Sequence, residues 1–193
     1  KKVKTKNLHS LIKQQPNKKF LGIAPLYLAL YNLSNKQKEN DYLKRIGEPP
    51  VILNYRLARK SASQLELYYK NKGFLDSNVS FVVSKRKHKA KVTYNINNGY
   101  KYKIKTINLG SIQGEKLTTI IRKHLISSKI KPGVSYNFQE LEEERNRISL
   151  KIQNHGYYKF NKEYIYFIAD TNKTTRTVDL NLIIKEVENI ING

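Results

Sequence analysis

The chain has 193 residues, with 37 Lys and Arg against 15 Asp and Glu and a formal net charge of +22. A surplus of that size favours anionic partners, namely nucleic acid, an anionic membrane surface or an acidic protein. Cysteine is absent, which excludes a disulfide framework, a thiol nucleophile and a Cys-based metal site, and the longest uncharged apolar stretch, Phe20–Tyr31, is too short to cross a bilayer as a helix.

Lys1–Lys6 opens the chain without Met, as in an excised or processed segment, and Val3 fits the end of a strand. Leu8, Leu11 and Ile12 have helical spacing over Leu8–Gln15, stopped by Pro16. Phe20–Ile23 is a short apolar piece. Leu26–Leu33 reads as a short buried helix, Ser34–Asp41 as a loop and Leu43–Ile46 as weakly helical. Gly47-Glu48-Pro49-Pro50 is a stiff boundary. An extended Val51–Asn54 then leads to a helix over about Leu57–Lys72, with Ser61 or Ser63 as an N-cap if Tyr55–Lys60 is a separate turn. Gly73 suits the C-terminal cap, because glycine takes the left-handed conformation without steric cost. Phe74–Ser84 and Ala90–Asn97 form a hairpin whose apolar face carries Val79, Phe81, Val83, Val92, Tyr94 and Ile96.

Asn97-Asn98-Gly99 is a tight junction between residues 1–98 and 99–193, which we read as two domains. Tyr100–Leu109 alternates, with Tyr100, Tyr102, Ile104 and Thr106 on one face and Lys101, Lys103 and Lys105 on the other. Glu115–Ser127 is an amphipathic helix, broken at Lys131-Pro132-Gly133. Asn137 caps the next helix, with Glu140 completing a capping box, and that helix ends at Gly156. Tyr157–Ala169 and Arg176–Val187 form a second hairpin around Asp170-Thr171-Asn172-Lys173. The order in this half is strand, helix, helix, strand, strand.

The two halves repeat. Asn71-Lys72-Gly73-Phe74 answers Asn154-His155-Gly156-Tyr157 at an offset of 83, which also carries Pro49 onto Pro132, Val51 onto Val134, Asn54 onto Asn137 and Leu65 onto Ile148. Val92, Tyr94 and Ile96 answer Val178, Leu180 and Leu182 at 86, so the drift lies in the second turn. A fixed period that drifts only in a turn points to two homologous modules. The charge divides unevenly between them, with 21 basic and 5 acidic residues in 1–98 and 16 and 10 in 99–193.

The element order and the helix ending Asn-x-Gly-aromatic resemble the POTRA domains of Omp85-superfamily outer-membrane assembly proteins. The residues that carry the likeness are Asn71-Lys72-Gly73-Phe74, the Gly99–Leu109 entry, and Lys131-Pro132-Gly133 before the helix ending at Gly156. Ile12–Lys19, Leu30–Asn35 and Gly47–Val51 are similar to the lipoprotein, Tam-like variant. The chain departs from that variant in having no lipidated Cys, and it carries no barrel, so it reads as an internal fragment. The resemblance implies an α+β fold of tandem modules, each a small mixed sheet with helices on one face. It also implies a non-catalytic role in the periplasm, attached to an outer-membrane barrel, with no cofactor. The implied partners are nascent outer-membrane or exported proteins and other subunits of the assembly machinery. The implied mechanism is β-augmentation, in which an open sheet edge pairs with an extended client. In the family arrangement the first strand of each hairpin is the edge. That makes Val79, Ser80, Phe81, Val82, Val83 and Ser84 one candidate edge, and Tyr164, Ile165, Tyr166, Phe167, Ile168 and Ala169 the other. Tyr164, Tyr166 and Ile168 give the second candidate an extra apolar face.

Other residue groups weigh against chemistry. Glu142, Glu143 and Glu144 are consecutive and fan around a helix. Glu140 and Glu144 have the spacing of a carboxylate pair, but Arg145 and Arg147 beside them indicate a salt-bridged solvent face. His9, His88, His124 and His155 show no metal-ligand spacing, and His124 reads as a core-margin residue. Lys85, Arg86, Lys87, Lys89 and Lys91 form a candidate patch for an anionic surface, or else a solvated turn that guards against aggregation. A basic nucleic-acid-binding protein is the competing reading, though no tyrosines make a base-stacking motif.

Overall fold

The computed structural model describes residues 6–19, 25–34, 42–87, 89–110, 112 and 114–185. The expected strand end at Val3, the apolar piece Phe20–Ile23 and most of the loop after Ser34 lie outside the described residues. The chain divides into two compact units. One comprises the residues up to Glu66 with Val79–Ile96, and the other Leu67–Asn78 with the chain from Asn97 onward.

The first unit holds α1 (Lys6–His9), α2 (Leu26–Leu33), α3 (Tyr42–Ile46), most of α4 (Tyr55–Asn71), and the hairpin of β1 (Asn78–Arg86) and β2 (Lys89–Asn97). Helix α4 starts at Tyr55, two residues before the expected position. The Asn54 side-chain oxygen accepts from the backbone N–H of Arg56 at 2.9 Å and of Leu57 at 3.3 Å, which is an N-cap. Ser61 and Ser63 therefore do not cap. Ser61 is instead fully buried in mid-helix. Its hydroxyl donates to Leu57 O at 2.8 Å and accepts from Lys13 N–H at 2.8 Å, tying the chain before Pro16 to α4.

Ala58, Ser61, Ala62 and Leu65 form the buried stripe of α4 at helical spacing. Ala62, Leu65 and Val79 make the core of this unit, with Leu8, Leu11, Phe81, Tyr94 and Ile96 packed against it. Leu8 and Leu11 reach that core although the helix ends at His9 rather than Gln15. The Lys13 N–H that would extend the helix onto the His9 carbonyl goes to Ser61 instead, and the Gln15 amide donates to the carbonyls of His9 and Ile12. Helix α2 has the expected bounds but buries no residue, and Leu33 is 75% exposed. Its packing neighbour is the five-residue α3, and two such short helices cannot exclude water from both their faces. Strand β1 begins at Asn78 because Phe74–Ser77 is a turn, closed by Ser77 N–H to Phe74 O at 3.0 Å. The hairpin alternates as expected, with Val79, Phe81, Val83, Val92, Tyr94 and Ile96 turned inward.

The second unit holds β3 (Lys103–Leu109), α5 (Glu115–Leu125), α6 (Phe138–Gln153), a 3-10 turn (Lys162–Tyr164), β4 (Ile165–Asn172) and β5 (Thr177–Ile184). Its sheet has the order β3-β5-β4, with β5 central, parallel to β3 and antiparallel to β4. Val178, Leu180 and Leu182 of β5 are fully buried. They divide between two core clusters. One gathers Leu117, Ile120, Ile121, Ile148, Ile152, Phe160 and Ile165, and the other Tyr102, Ile104, Ile130 and Leu141. Both helices and the inner sheet face thus share one apolar interior, in the strand, helix, helix, strand, strand order expected.

The alternation of β3 is interrupted. Tyr102 and Ile104 are buried, but the register shifts between Ile104 and Thr106. Beyond this bulge Ile107 and Leu109 pack on the core, while the Thr106 hydroxyl donates to the Asp179 carboxylate of β5. Asn137 caps α6, but through the N–H of Gln139, and its amide donates to Glu140 at 2.8 Å. The expected reciprocal box, in which Glu140 would accept from a backbone N–H, is replaced by this side-chain bond. Leu75 packs on the second cluster, and the Tyr102 hydroxyl donates to Asp76 at 2.8 Å, so the loop after Gly73 belongs to this unit. Burial and the Asp76 bond both raise the Tyr102 pKa.

Candidate functional site

A sheet edge can accept a further strand only where its backbone groups are unpaired. The second unit has two edges, and they differ. Along β3, Gly133 N–H donates to Ile104 O at 2.8 Å, Ile104 N–H to Val134 O at 2.8 Å, and Tyr136 N–H to Tyr102 O at 2.9 Å. The segment 133–136 therefore straps the start of the β3 edge, at Tyr102 and Ile104. The sequence reading missed this role. Its signal was the Pro132-Gly133 break followed by Val134 and Ser135, too short a run to read as a strand.

The β4 edge carries no such strap among the described residues. Its pairing with β5 runs without a shift from Ile165 opposite Ile184 to Asn172 opposite Thr177. Lys185 N–H donates to Tyr164 O at 2.8 Å in the same register. Hydrogen-bonded and non-hydrogen-bonded pairs alternate in an antiparallel ladder. Tyr166, Ile168 and Asp170 therefore direct their backbone groups to β5. Phe167 and Ala169 direct theirs to the open edge, whereas the Ile165 N–H closes the 3-10 turn by donating to Lys162 O.

The side chains sort the other way. Ile165 is fully buried and Phe167 is half-buried against both clusters, while Tyr166 and Ile168 are exposed at 42% and 53%. The expected outer face thus keeps Tyr166 and Ile168 but loses Tyr164. That residue lies in the 3-10 turn and sets its ring edge-on to Phe160 at 5.5 Å, against the core. Helix α6 holds the start of β4. Arg145 donates to Lys162 O at 3.0 Å, pairs with Glu142 at 2.6 Å, and places its guanidinium 5.8 Å from the Tyr166 ring centre.

The other predicted edge residues lie on β1. Val79 is buried, Phe81 and Val83 are half-buried, and Ser80, Val82 and Ser84 are exposed. The Val79 N–H is taken by the Glu66 carboxylate at 3.3 Å. Lys85, Arg86, Lys87, Lys89 and Lys91 are all exposed around the hairpin tip. Gly73 and Gly156 both have positive φ, +93° and +99°, at the ends of α4 and α6. A Cβ on Gly73 would lie 2.2 Å from Tyr136 O, while one on Gly156 would meet nothing within 4 Å.

The carboxylates of α6 do not form a solvated face throughout. Glu144 is 4% exposed and receives a two-pronged Arg147 guanidinium at 2.8 and 2.6 Å. That bond raises the Arg147 pKa. Arg147 also donates to His124 O at 2.7 Å, fastening the end of α5 to α6. The His124 ring stands edge-on to His155 at 5.5 Å, and its buried Nε2 has no partner. Burial lowers the His124 pKa, and His155, Lys151, Arg147 and Lys123 lower it further. No group of three or more His, Cys, Asp and Glu that could hold a metal ion gathers among the described residues. No helix among them is long and apolar enough to cross a membrane.

A comparison with curated proteins finds no match. Among solved structures, the chain is similar to POTRA domains 3–5 of BamA from Haemophilus influenzae, with 14% identity and a TM-score of 0.49, over 95% of this chain and 61% of that one. It is also similar to BamA from Haemophilus ducreyi lacking POTRA domains 1–3, with 13% identity and a TM-score of 0.45, over 73% of this chain and 25% of that one. POTRA domains 1–2 of the periplasmic domain of Omp85 from Anabaena align with 12% identity and a TM-score of 0.38, over 86% of this chain and 89% of theirs. The chain thus spans under two thirds of the two BamA structures. At these scores the likenesses carry no argument, and the fold rests on the strand order. One family model matches, POTRA, described as "Surface antigen variable number repeat", over residues 102–187. That span begins at the buried Tyr102 and takes in β3, both helices and the β4–β5 hairpin, so the second module carries the POTRA match.

Proposed function

We propose that this chain is a non-catalytic, client-binding region of an outer-membrane protein assembly or translocation factor, and that it works in the periplasm. The open edge of β4 accepts an extended segment of a nascent outer-membrane or exported protein by β-augmentation. The observation that carries this reading is the asymmetry of the second sheet. The start of its β3 edge, at Tyr102 and Ile104, is strapped by residues 133–136, while β4 leaves the N–H and C=O groups of Phe167 and Ala169 outward. Main-chain bonds supply affinity with little demand on client sequence, as a factor serving many clients requires. Exposed Tyr166 and Ile168 offer apolar contact to alternate client side chains on the outer face. The POTRA match on this module agrees in class with the reading. Attachment to a barrel and docking of other assembly subunits belong to the same proposal.

Proline placed along β4 tests it. Ala169→Pro removes an outward donor and leaves the β5 ladder intact, so the module stays folded while crosslinking to an extended client peptide falls severalfold. Ile168→Pro removes a ladder bond and lowers the unfolding midpoint instead. Full client crosslinking by a folded Ala169→Pro protein would remove this edge from the mechanism.

A further inference from the structure

One end of the first module gathers exposed cations, and the proposed client edge makes no use of them. The Lys85 ammonium lies 5.6 Å from the centre of the Tyr55 ring, which brings the β1–β2 tip beside the start of α4. Two groups of exposed cations therefore meet. The tip supplies Lys85, Arg86, Lys87, Lys89 and Lys91, and the first turns of α4 supply Arg56, Arg59 and Lys60. No acidic residue occurs in 49–65 or in 77–98. The α4 cations sit where the helix dipole disfavours positive charge, and its first turn has no acidic residue to offset them.

Apolar side chains share this end. Ile52 is 81% exposed, Tyr55 51% and Val51 44%, all just ahead of the α4 cations or within them. Cations interleaved with exposed aliphatic and aromatic groups suit a surface that is anionic outside and apolar beneath. Basic residues then meet headgroups, while tyrosine sits at the headgroup level. A nucleic-acid duplex would use the cations but give Ile52 nothing to enter.

We propose that this end of the first module docks on a phospholipid bilayer rich in anionic headgroups. Lys85, Arg86, Lys89, Lys91, Arg56 and Arg59 contact phosphates, and Ile52 and Tyr55 enter the interface. The attraction is local, because screening limits the field to about 8 Å at physiological salt.

The test uses the whole chain, which has no tryptophan of its own. Ile52→Trp supplies a fluorescent reporter. Vesicles of phosphatidylcholine with phosphatidylglycerol are compared with phosphatidylcholine alone and with duplex DNA at equal ionic strength. The proposal expects sedimentation with the anionic vesicles only, and a blue shift of the new tryptophan on them. Lys89→Gln with Lys91→Gln, both surface changes, should weaken vesicle binding by about fivefold per charge removed. Ile52→Ser should weaken vesicle binding while leaving any duplex binding unchanged. Absence of vesicle binding, an unshifted emission on bound vesicles, or an Ile52→Ser protein that binds vesicles as before would each overturn the proposal. Tighter binding to the duplex than to anionic vesicles would assign the patch to nucleic acid instead.

Discussion

His124 shows how one side chain records its surroundings. Its ring is packed between α5 and the turn after α6, with Nε2 buried and unpartnered, His155 at its edge, and Lys151, Arg147 and Lys123 adding positive charge. Its folded-state pKa therefore lies below the usual 6.5. The unfolded chain takes up the proton first, so the stabilisation is fully present above pH 6.5 and is lost as pH falls from there through the folded-state value. Urea midpoints taken at about pH 7.5 and about pH 5 should show a decrease that is smaller in His124→Gln, and an equal decrease in both proteins would contradict the assignment. The sequence placed His124 at the margin of a helix's apolar stripe. It did not indicate His155 as a neighbour, because that contact arises from the packing of α5 against α6. Glu144 shows the same limit. Its place in an acidic run reads as solvated, and only the fold shows that it is 4% exposed and held by Arg147.

The repeat is most legible in the helices. Asn54 and Asn137, matched at the 83-residue offset, both accept backbone N–H bonds at a helix start. Leu65 and Ile148, matched likewise, are both buried in the middle of a helix. Gly73 and Gly156 follow the two helices with nearly equal φ. These were readable because capping and period are local properties of a few residues. The two glycines nonetheless predict different costs. Gly156→Ala should lower stability by about 1 kcal/mol, the strain of a side chain at positive φ. Gly73→Ala adds a clash at 2.2 Å with Tyr136 O and should cost at least about twice as much. Equal unfolding midpoints for the two variants would count against the close approach. What was not legible depends on distant partners. The β3 bulge answers to β5, about 70 residues away, and the 133–136 strap answers to the opposite edge of β3. The α1 helix does not continue past His9 because the Lys13 N–H goes to the Ser61 hydroxyl instead of the His9 carbonyl, a partner 48 residues away that periodicity does not reveal.

At the scale of the molecule, the two α+β modules differ in charge and in core. The first module has the larger share of the basic surplus and few acids to balance it. Among the described residues the second has the larger buried clusters, and its sheet is strapped at the start of one edge and unstrapped along the other. Charge on one module and an open edge on the other are the features on which the two proposals rest. Amide hydrogen exchange along β4, with and without a client peptide, tests the pairing of a client with β4 most directly. In the free protein the amides of Tyr166 and Ile168 should exchange slowly, since they bond to β5, and those of Phe167 and Ala169 quickly. On client binding the Phe167 and Ala169 amides should slow by about tenfold or more while Tyr166 and Ile168 change little. Unchanged exchange at Phe167 and Ala169 with the client demonstrably bound would contradict the account.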